Sequence, residues 1–427
     1  MREMKDSGIE WIGEIPKEWE IIRMKNMIIS RDGGAWGEEK SNDENDVICL
    51  RIADFDYQRL RFKDTNELTI RNYKSEVKNK LLLLKDDILI EKSGGGEKTP
   101  VGRAVIFDKK YEALFANFME RLRTRNNVNP KYFLYILTAF YQNRHMLNYI
   151  KQTTGIQNLD ISSLLSIERS PFSSISEQQK ISAYLDEKCT KIDTIIEKQQ
   201  KIIEKLKNYK LSRINEIVIN VDGIECNLGR ISSMKNGLNF NMALEGNKVK
   251  FLGVGDFKDY FVLNEKEMFS EIIITEEIPQ EYLLENGDIV FVRSNGSKEL
   301  VGRAVMVENI DFALTYSGFC IRFRNTRADL IDDKYLLYFF RSTYFRKQLE
   351  RYSQGSNISN INQVLLSQIS IIIPSPNYQI TALETLDKLS SSIDSIITKK
   401  QILIEKLTEY KKSLIYEVVT GKKEIWL

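Results

Sequence analysis

Histidine is nearly absent from this chain of 427 residues. The only one, His145, lies in a helical stretch with no acid or nucleophile placed to work with it, so it reads as structural. Cysteine is scarce too: Cys49, Cys189, Cys226 and Cys320 stand far apart with no C-x-x-C spacing, which excludes a disulfide framework and a zinc knuckle and leaves four reduced thiols. No stretch reaches the roughly 18 uncharged apolar residues of a membrane span, and the start, MREMKDSGIEW, lacks the basic-then-apolar pattern of a secretory leader. A cytoplasmic protein without membrane contact is expected. Charge of one sign is also lacking. With 62 basic against 60 acidic residues the net charge is +2, so any nucleic-acid footprint must come from local clustering. The length exceeds one ordinary core and predicts two or three units.

What is present is a repeat. Shifting the sequence by 200 residues lays the Val-Gly-Arg-Ala-Val of 101–105 on that of 301–305. Outward from there Asp87-Ile88 falls on Asp288-Ile289, Lys131-Tyr132-Phe133-Leu134 on Lys334-Tyr335-Leu336-Leu337, Gly155 on Gly355 and Ile161 on Ile361. Then Leu185-Asp186, Ile192-Asp193, Glu204-Lys205-Leu206, Tyr209-Lys210 and Ser212 each match residues 201 further on. A period this long is a whole domain plus a helix, not a solenoid unit. The domains predicted are 1–175, a central helix 176–221, a second domain 222–376, and a C-terminal helix and tail 377–427.

Between 177 and 219 there is neither proline nor glycine, and Leu185, Ile192, Gln199 and Leu206 recur every seven residues, with Ile195, Ile202 and Tyr209 three places on. Leu386, Ile393, Lys400, Leu407 and Leu414 repeat the pattern with Ile396, Leu403 and Tyr410, and the polar breaks Gln199 and Lys400 share one heptad position. About 40 residues make a rod of roughly 60 Å, too long for a domain edge. A mutual antiparallel coiled coil is expected, with the two domains at opposite ends related by a pseudo-twofold axis, a shape suited to a symmetric partner pair or a split DNA site.

Each domain reads as mixed α+β: short β-type runs such as 47–50, 87–90, 249–252 and 288–291, glycine turns between them, then one apolar helix from Pro130 to about Ile150 or from Asp333 to about Tyr352, with Asn129 and Asp332 as N-caps. The loop at 93–99, SGGGEKT, lacks the G-x-x-x-x-G-K-[ST] pattern, as does 294–298, SNGSK, so nucleotide hydrolysis is rejected. Asn129-Pro130-Lys131-Tyr132 is only faintly similar to the Asn-Pro-Pro-Tyr of adenine methyltransferases, and the helix start explains it and its repeat partner better. No catalytic residue and no metal ligand is assigned.

What both copies share is a Gly/Ser/Asn loop after a strand, carrying Lys92, Ser93, Lys98 and Arg103 in one and Arg293, Ser294, Asn295, Lys298 and Arg303 in the other. Small residues let backbone amides approach phosphates, and Lys and Arg supply charge and base-edge donors. The bland reading is a solvated hairpin, and Arg103 and Arg303, inside strand-like runs, fit a structural ion pair equally well. A second pair of amide-rich loops, 152–158 with Gln157 and 353–357 with Asn357, offers adenine readers or helix caps.

The chain resembles the specificity subunit of type I restriction-modification systems over essentially its whole length. Four stretches carry the resemblance: DSGIEWIGEIP at 6–16 with Trp19, the paired Val-Gly-Arg-Ala-Val motifs, SEQQKI at 176–181, and EVVTGK at 417–422. Two departures stand out: the second helix enters through Pro376-Asn377-Tyr378-Gln379 with only the glutamine kept, and the first ends in EIVIN at 216–220. The resemblance implies a non-catalytic subunit that binds double-stranded DNA and two modification (methyltransferase) subunits, with restriction subunits as further partners. It carries no cofactor itself; S-adenosylmethionine, ATP and Mg belong to the partners. Each domain would read a few base pairs in a major groove, the helices setting the gap. Because the domains diverge, as in Asp54-Phe55-Asp56-Tyr57 against Asp256-Phe257-Lys258-Asp259, an asymmetric bipartite target is expected. The competing expectation is a coiled-coil scaffold that binds proteins and no nucleic acid.

Overall fold

The computed structural model describes all residues except 1, 153–154, 241–244, 259, 276, 298, 353–359 and 426–427. It divides into two compact units, Met1–Gln200 with Gln401–Leu427, and Lys201–Lys400. Both boundaries fall inside the long helices, Ile175–Ile219 and Pro376–Val419. Each unit therefore holds one globular domain, half of its own helix and half of the other repeat's. No helix among the described residues is long and apolar enough to cross a membrane.

In the first unit a six-stranded sheet runs in the order Ile28–Gly33, Met119–Thr124, Ile88–Glu91, Ala104–Ile106, Arg61–Phe62, Phe55–Asp56. The helix Pro130–Gln142 packs on it, burying Tyr132, Phe133, Ile136 and Phe140, and a three-stranded sheet of Ala113–Phe115, Asp46–Leu50 and Ile70–Asn72 closes a second core around Phe55, Phe62 and Phe115. The second unit repeats the plan with a five-stranded sheet ordered Ser232–Asn236, Cys320–Asn325, Ile289–Val292, Ala304–Val307, Val262–Leu263. The repeat anchors are buried for a reason. Arg123 grips the carboxylate of Asp87 through Nε and Nη2 at 2.7 and 2.8 Å, and Arg324 grips Asp288 the same way at 2.7 and 2.7 Å.

The single domain helices expected to reach Ile150 and Tyr352 are each interrupted. The first ends at Gln142, where Arg144 turns into the left-handed region at φ +63°, and a 3-10 turn His145–Tyr149 follows. The second splits into Asp333–Phe340 and Thr343–Tyr352, the break fixed where Ser342 Oγ accepts the Phe345 amide at 3.2 Å as a fresh cap. Asn129 and Asp332 are the N-caps, as the sequence suggests.

In the second unit the helix halves run antiparallel: Lys210 pairs with Asp394, while Ile217 O, seven residues on, accepts the hydroxyl of Tyr378, sixteen residues back. The first unit carries the repeat-equivalent pair, Lys411 with Asp193, at 2.8 Å to each oxygen. Since Asp193 matches Asp394 and Lys210 matches Lys411, each pair joins the helix of one repeat to that of the other. The seam needs one correction. Leu185, Ile192, Leu386, Ile393 and Leu414 are buried, but Ile195, Ile202, Tyr209, Ile396, Leu403 and Tyr410 are exposed; the companions of the seam are Cys189, Ile196 and Ile397, four places on. At about 100° per residue the i+4 row turns toward the buried face and the i+3 row away from it.

The kept glutamine explains itself here. Gln178 Oε1 accepts the Asn129 amide at 2.8 Å and its Nε2 donates to Ser173 O at 2.8 Å; Gln379 accepts from the Asp332 amide at 2.9 Å and donates to Leu330 O and Pro374 O at 2.8 and 2.9 Å. Both glutamines are buried and tie the start of the domain helix to the start of the long helix. Replacing Gln379 by alanine strands three backbone groups, at about 1–3 kcal/mol for the site. The expected result is a calorimetric transition of the second unit shifted down by several degrees, and an unshifted one would refute this role.

Candidate nucleic-acid interface

In the first unit the strand Ile88–Glu91 runs straight into the loop beginning at Lys92. Ser93–Gly94 pairs antiparallel with Gln157–Leu159, in the register Ser93 to Asn158 and Gly94 to Gln157, and Gln157–Leu159 pairs in turn with Ile150–Gln152. The two loops read as separate candidates thus form one ribbon. The second unit repeats the junction: Ser294 bridges Asn360, and Ile361 N donates to Arg293 O at 2.9 Å as Leu159 N does to Lys92 O at 2.8 Å. Gly95 must be glycine, because at φ +70° a Cβ would lie 2.5 Å from Val101 N.

The side chains divide into two sets. The side chains of Lys92 and Lys98 are exposed and have no hydrogen-bond or ion-pair partner among the described residues. Ser93 Oγ donates to Asn158 Oδ1 at 2.6 Å at the surface, so Asn158, the last residue of the amide-rich loop 152–158, is its exposed amide where Gln157 is buried. Arg293 is half-buried, with Nη1 3.4 Å from Gly318 O, and Asn295 Oδ1 accepts the Ser297 amide at 2.8 Å, closing the loop tip. Lys298 and Asn357 lie outside the described residues.

Two expectations are corrected. Gln157 is buried, its Oε1 accepting the Val101 amide at 3.1 Å, so it holds the loop. Arg103 is committed to Glu91, Nε to Oε2 at 3.2 Å and Nη2 to Oε1 at 2.9 Å, with Tyr57 beneath it at 3.5 Å. Burial opposes that guanidinium's charge, yet the hydrogen bond and field of Glu91 raise its pKa on balance. Burial and the same carboxylate push the Tyr57 phenol up, so it donates its proton to Glu91 at 2.5 Å. The ion-pair reading of Arg103 is the correct one. Arg303 is half-buried, and the residue in the place of Glu91 is Val292, so that pair is not duplicated.

His145 is packed between Trp11 and Phe140, with ring centroids 5.4 and 5.2 Å away, and burial lowers its pKa. All four cysteines are free; burial pushes the thiols of Cys189 and Cys320 up to about 11 and about 12.

The class that the fold defines is a duplicated α+β protein, each domain carrying a basic Gly/Ser/Asn loop paired to a second loop, with two long helices that pair with each other. The chain belongs to the family of the type I restriction modification DNA specificity domain, which it matches twice, at residues 16–208 and 228–406. The match supports DNA specificity and not the protein-only scaffold. It is similar to the type I restriction enzyme StySPI specificity subunit of Salmonella potsdam, 25% identical over 96% of this chain and 90% of that one. The MjaVIII specificity subunit of Methanocaldococcus jannaschii is 24% identical over 96% of this chain and 93% of its own. Among solved structures, a chain described under complex assembly and conformational transition of the type I R-M system aligns at a TM-score of 0.70 with 12% identity, over 96% of this chain and 99% of that one. The HsdS subunit from Thermoanaerobacter tengcongensis aligns at 0.50, also with 12% identity, over 96% and 98%. These last two likenesses speak for the fold alone.

Proposed function

We propose that this chain is the DNA-reading subunit of a type I restriction-modification complex, taking one half of an asymmetric bipartite target with each unit. The observation that carries the reading is the ribbon joining 93–94 to 157–158 and Ser294 to Asn360: one backbone device, built twice, with different side chains on it. Equal backbones position on phosphates, and unequal side chains read unequal bases. The exposed row of the long helices supports docking of two modification subunits. The first unit shows Ile195, Leu403 and Tyr410, and the second their repeat counterparts Ile396, Ile202 and Tyr209, so one partner surface is offered twice. The chain acts in the cytoplasm, performs no chemistry itself and holds no cofactor; S-adenosylmethionine, and with restriction subunits ATP and Mg, are brought by the partners.

The test is single-molecule sequencing of DNA from a host free of other adenine methylation, expressing the modification subunit with and without this chain. The expected result is N6-methyladenine at a gapped, asymmetric motif only when the chain is present. A palindromic motif would overturn the asymmetric reading, and methylation independent of the chain would overturn the function.

A further inference from the structure

Both units carry an aromatic turn that takes no part in the roles above. The turn from Ala116 to Met119 closes with Met119 N donating to Ala116 O at 3.1 Å and puts Phe118 at its third position, half-exposed at 49%. The turn from Ser317 to Cys320 closes with Cys320 N donating to Ser317 O at 2.8 Å and puts Phe319, 201 residues on, in the same place at 56%. Two main-chain supports are shared. Gly34 N and Gly237 N donate to Met119 O and Cys320 O, each at 3.1 Å, and each glycine lies so close that a Cβ would come within 2.2 Å of the carbonyl opening the turn. Lys92 N and Arg293 N donate to Phe118 O and Phe319 O, both at 2.8 Å.

A lone exposed phenylalanine needs no explanation. Here, however, the first two residues of the turn have diverged, Ala116-Asn117 against Ser317-Gly318, while the ring, its turn and the adjoining cation are kept. The main-chain hydrogen bonds fix the backbone from which each ring stands exposed. Its position is set by the same residue that begins the basic loop, Lys92 in one unit and Arg293 in the other. Apolar rings beside phosphate-binding cations have one common use on DNA: contact with thymine methyls or with bases exposed at a deformed step.

We infer that Phe118 and Phe319 are specificity-determining residues, each pressing its ring against bases of the half-site that its own unit reads. The inference rests on the DNA-reading function proposed above. Because cations act on phosphates regardless of sequence and the ring acts on bases, the two contributions separate by experiment.

The full chain, assembled with its modification subunits, is compared with Phe118→Ala, Phe319→Ala and the ring-conserving Phe118→Tyr and Phe319→Tyr. Two probes are used: methylation sequencing in the host above, and fluorescence anisotropy on a duplex carrying the motif and on a scrambled duplex. Each alanine variant is expected to lose roughly tenfold in affinity for the motif duplex and none for the scrambled one, with an unchanged salt slope. Base preference should relax in one half of the motif for Phe118→Ala and in the other half for Phe319→Ala, and the tyrosine variants should stay close to the parent. Unchanged motif and affinity in both alanine variants would overturn the inference. So would an equal loss on both duplexes accompanied by poorer assembly, which would mark the rings as partner contacts. A parent chain that directs no motif at all fails the function first and takes this inference with it, an outcome distinct from the other two.

Discussion

Replacing Asp193 by alanine lowers the stability of the first unit by about 3 kcal/mol. Lys411 Nζ lies 2.8 Å from both oxygens of Asp193, and the two side chains are only 13% and 6% exposed. Removing the carboxylate leaves an ammonium group that retains Gln58 O at 2.7 Å but no countercharge among the described residues. The repeat-equivalent pair supplies the control. Asp394 is 58% exposed where it meets Lys210, so Asp394→Ala is expected to cost less than about 1 kcal/mol. All four tryptophans, at 11, 19, 36 and 426, fall in the stretches that form the first unit. Urea unfolding followed by tryptophan fluorescence therefore reports Asp193→Ala, while calorimetry reports Asp394→Ala. The double change Asp193→Leu with Lys411→Met should recover most of the loss, because the destabilisation comes from a stranded charge and not from missing volume. Equal losses at Asp193 and Asp394 would refute the argument from burial.

That pair also shows how far the sequence could be read. The repeat placed Asp193 over Asp394 and Lys210 over Lys411, and the heptad pattern called for pairing between the helices. Which residues meet across the helices is set by their relative axial shift, which no local pattern encodes. The same holds for the exposed row. Spacings of three and four both suit a heptad, and what put Ile196 inside and Ile195 outside was the domain packed alongside, a tertiary choice. The kept glutamine was visible as an anomaly at the entry to the second helix, and its reason, three main-chain partners, needed the fold. In the candidate interface the basic glycine loops were legible because composition marks them twice. Arg103 looked equally fit for DNA because its partner Glu91 sits twelve residues away on the neighbouring strand, and Val292 in the second copy concealed the pairing. Gln157 misled for a related reason: an amide that can read adenine can equally hold a loop, and only the nearby Val101 amide decides. Phe118 and Phe319 shared the 201-residue offset that revealed the rest of the repeat, yet single aromatics in strand-rich sequence are read as core.

Changing Lys92, Lys98 and Arg293 together to alanine lowers affinity for a random-sequence duplex about a hundredfold at 0.1 M salt and reduces the slope of log affinity against log salt by about 3. The magnitude follows from counterion release, at about 0.9 for each phosphate that a side chain no longer neutralises. The side chains of Lys92 and Lys98 serve no internal partner among the described residues, that of Arg293 makes a 3.4 Å contact with Gly318 O, and the main-chain bonds of Lys92 and Arg293 survive substitution, so thermal stability and assembly with the modification subunits should stay near the parent's. The three sites also divide by unit. Lys92 and Lys98 belong to the first, Arg293 to the second, and if each unit holds its own half-site the losses add in free energy, because sites without shared partners do not couple. Arg103→Ala is the contrasting case: its guanidinium is spent on Glu91, so it should leave the salt slope unchanged and lower stability instead. A salt slope that falls with Arg103→Ala but not with the triple change would move the phosphate contacts away from these loops and sink the interface as drawn.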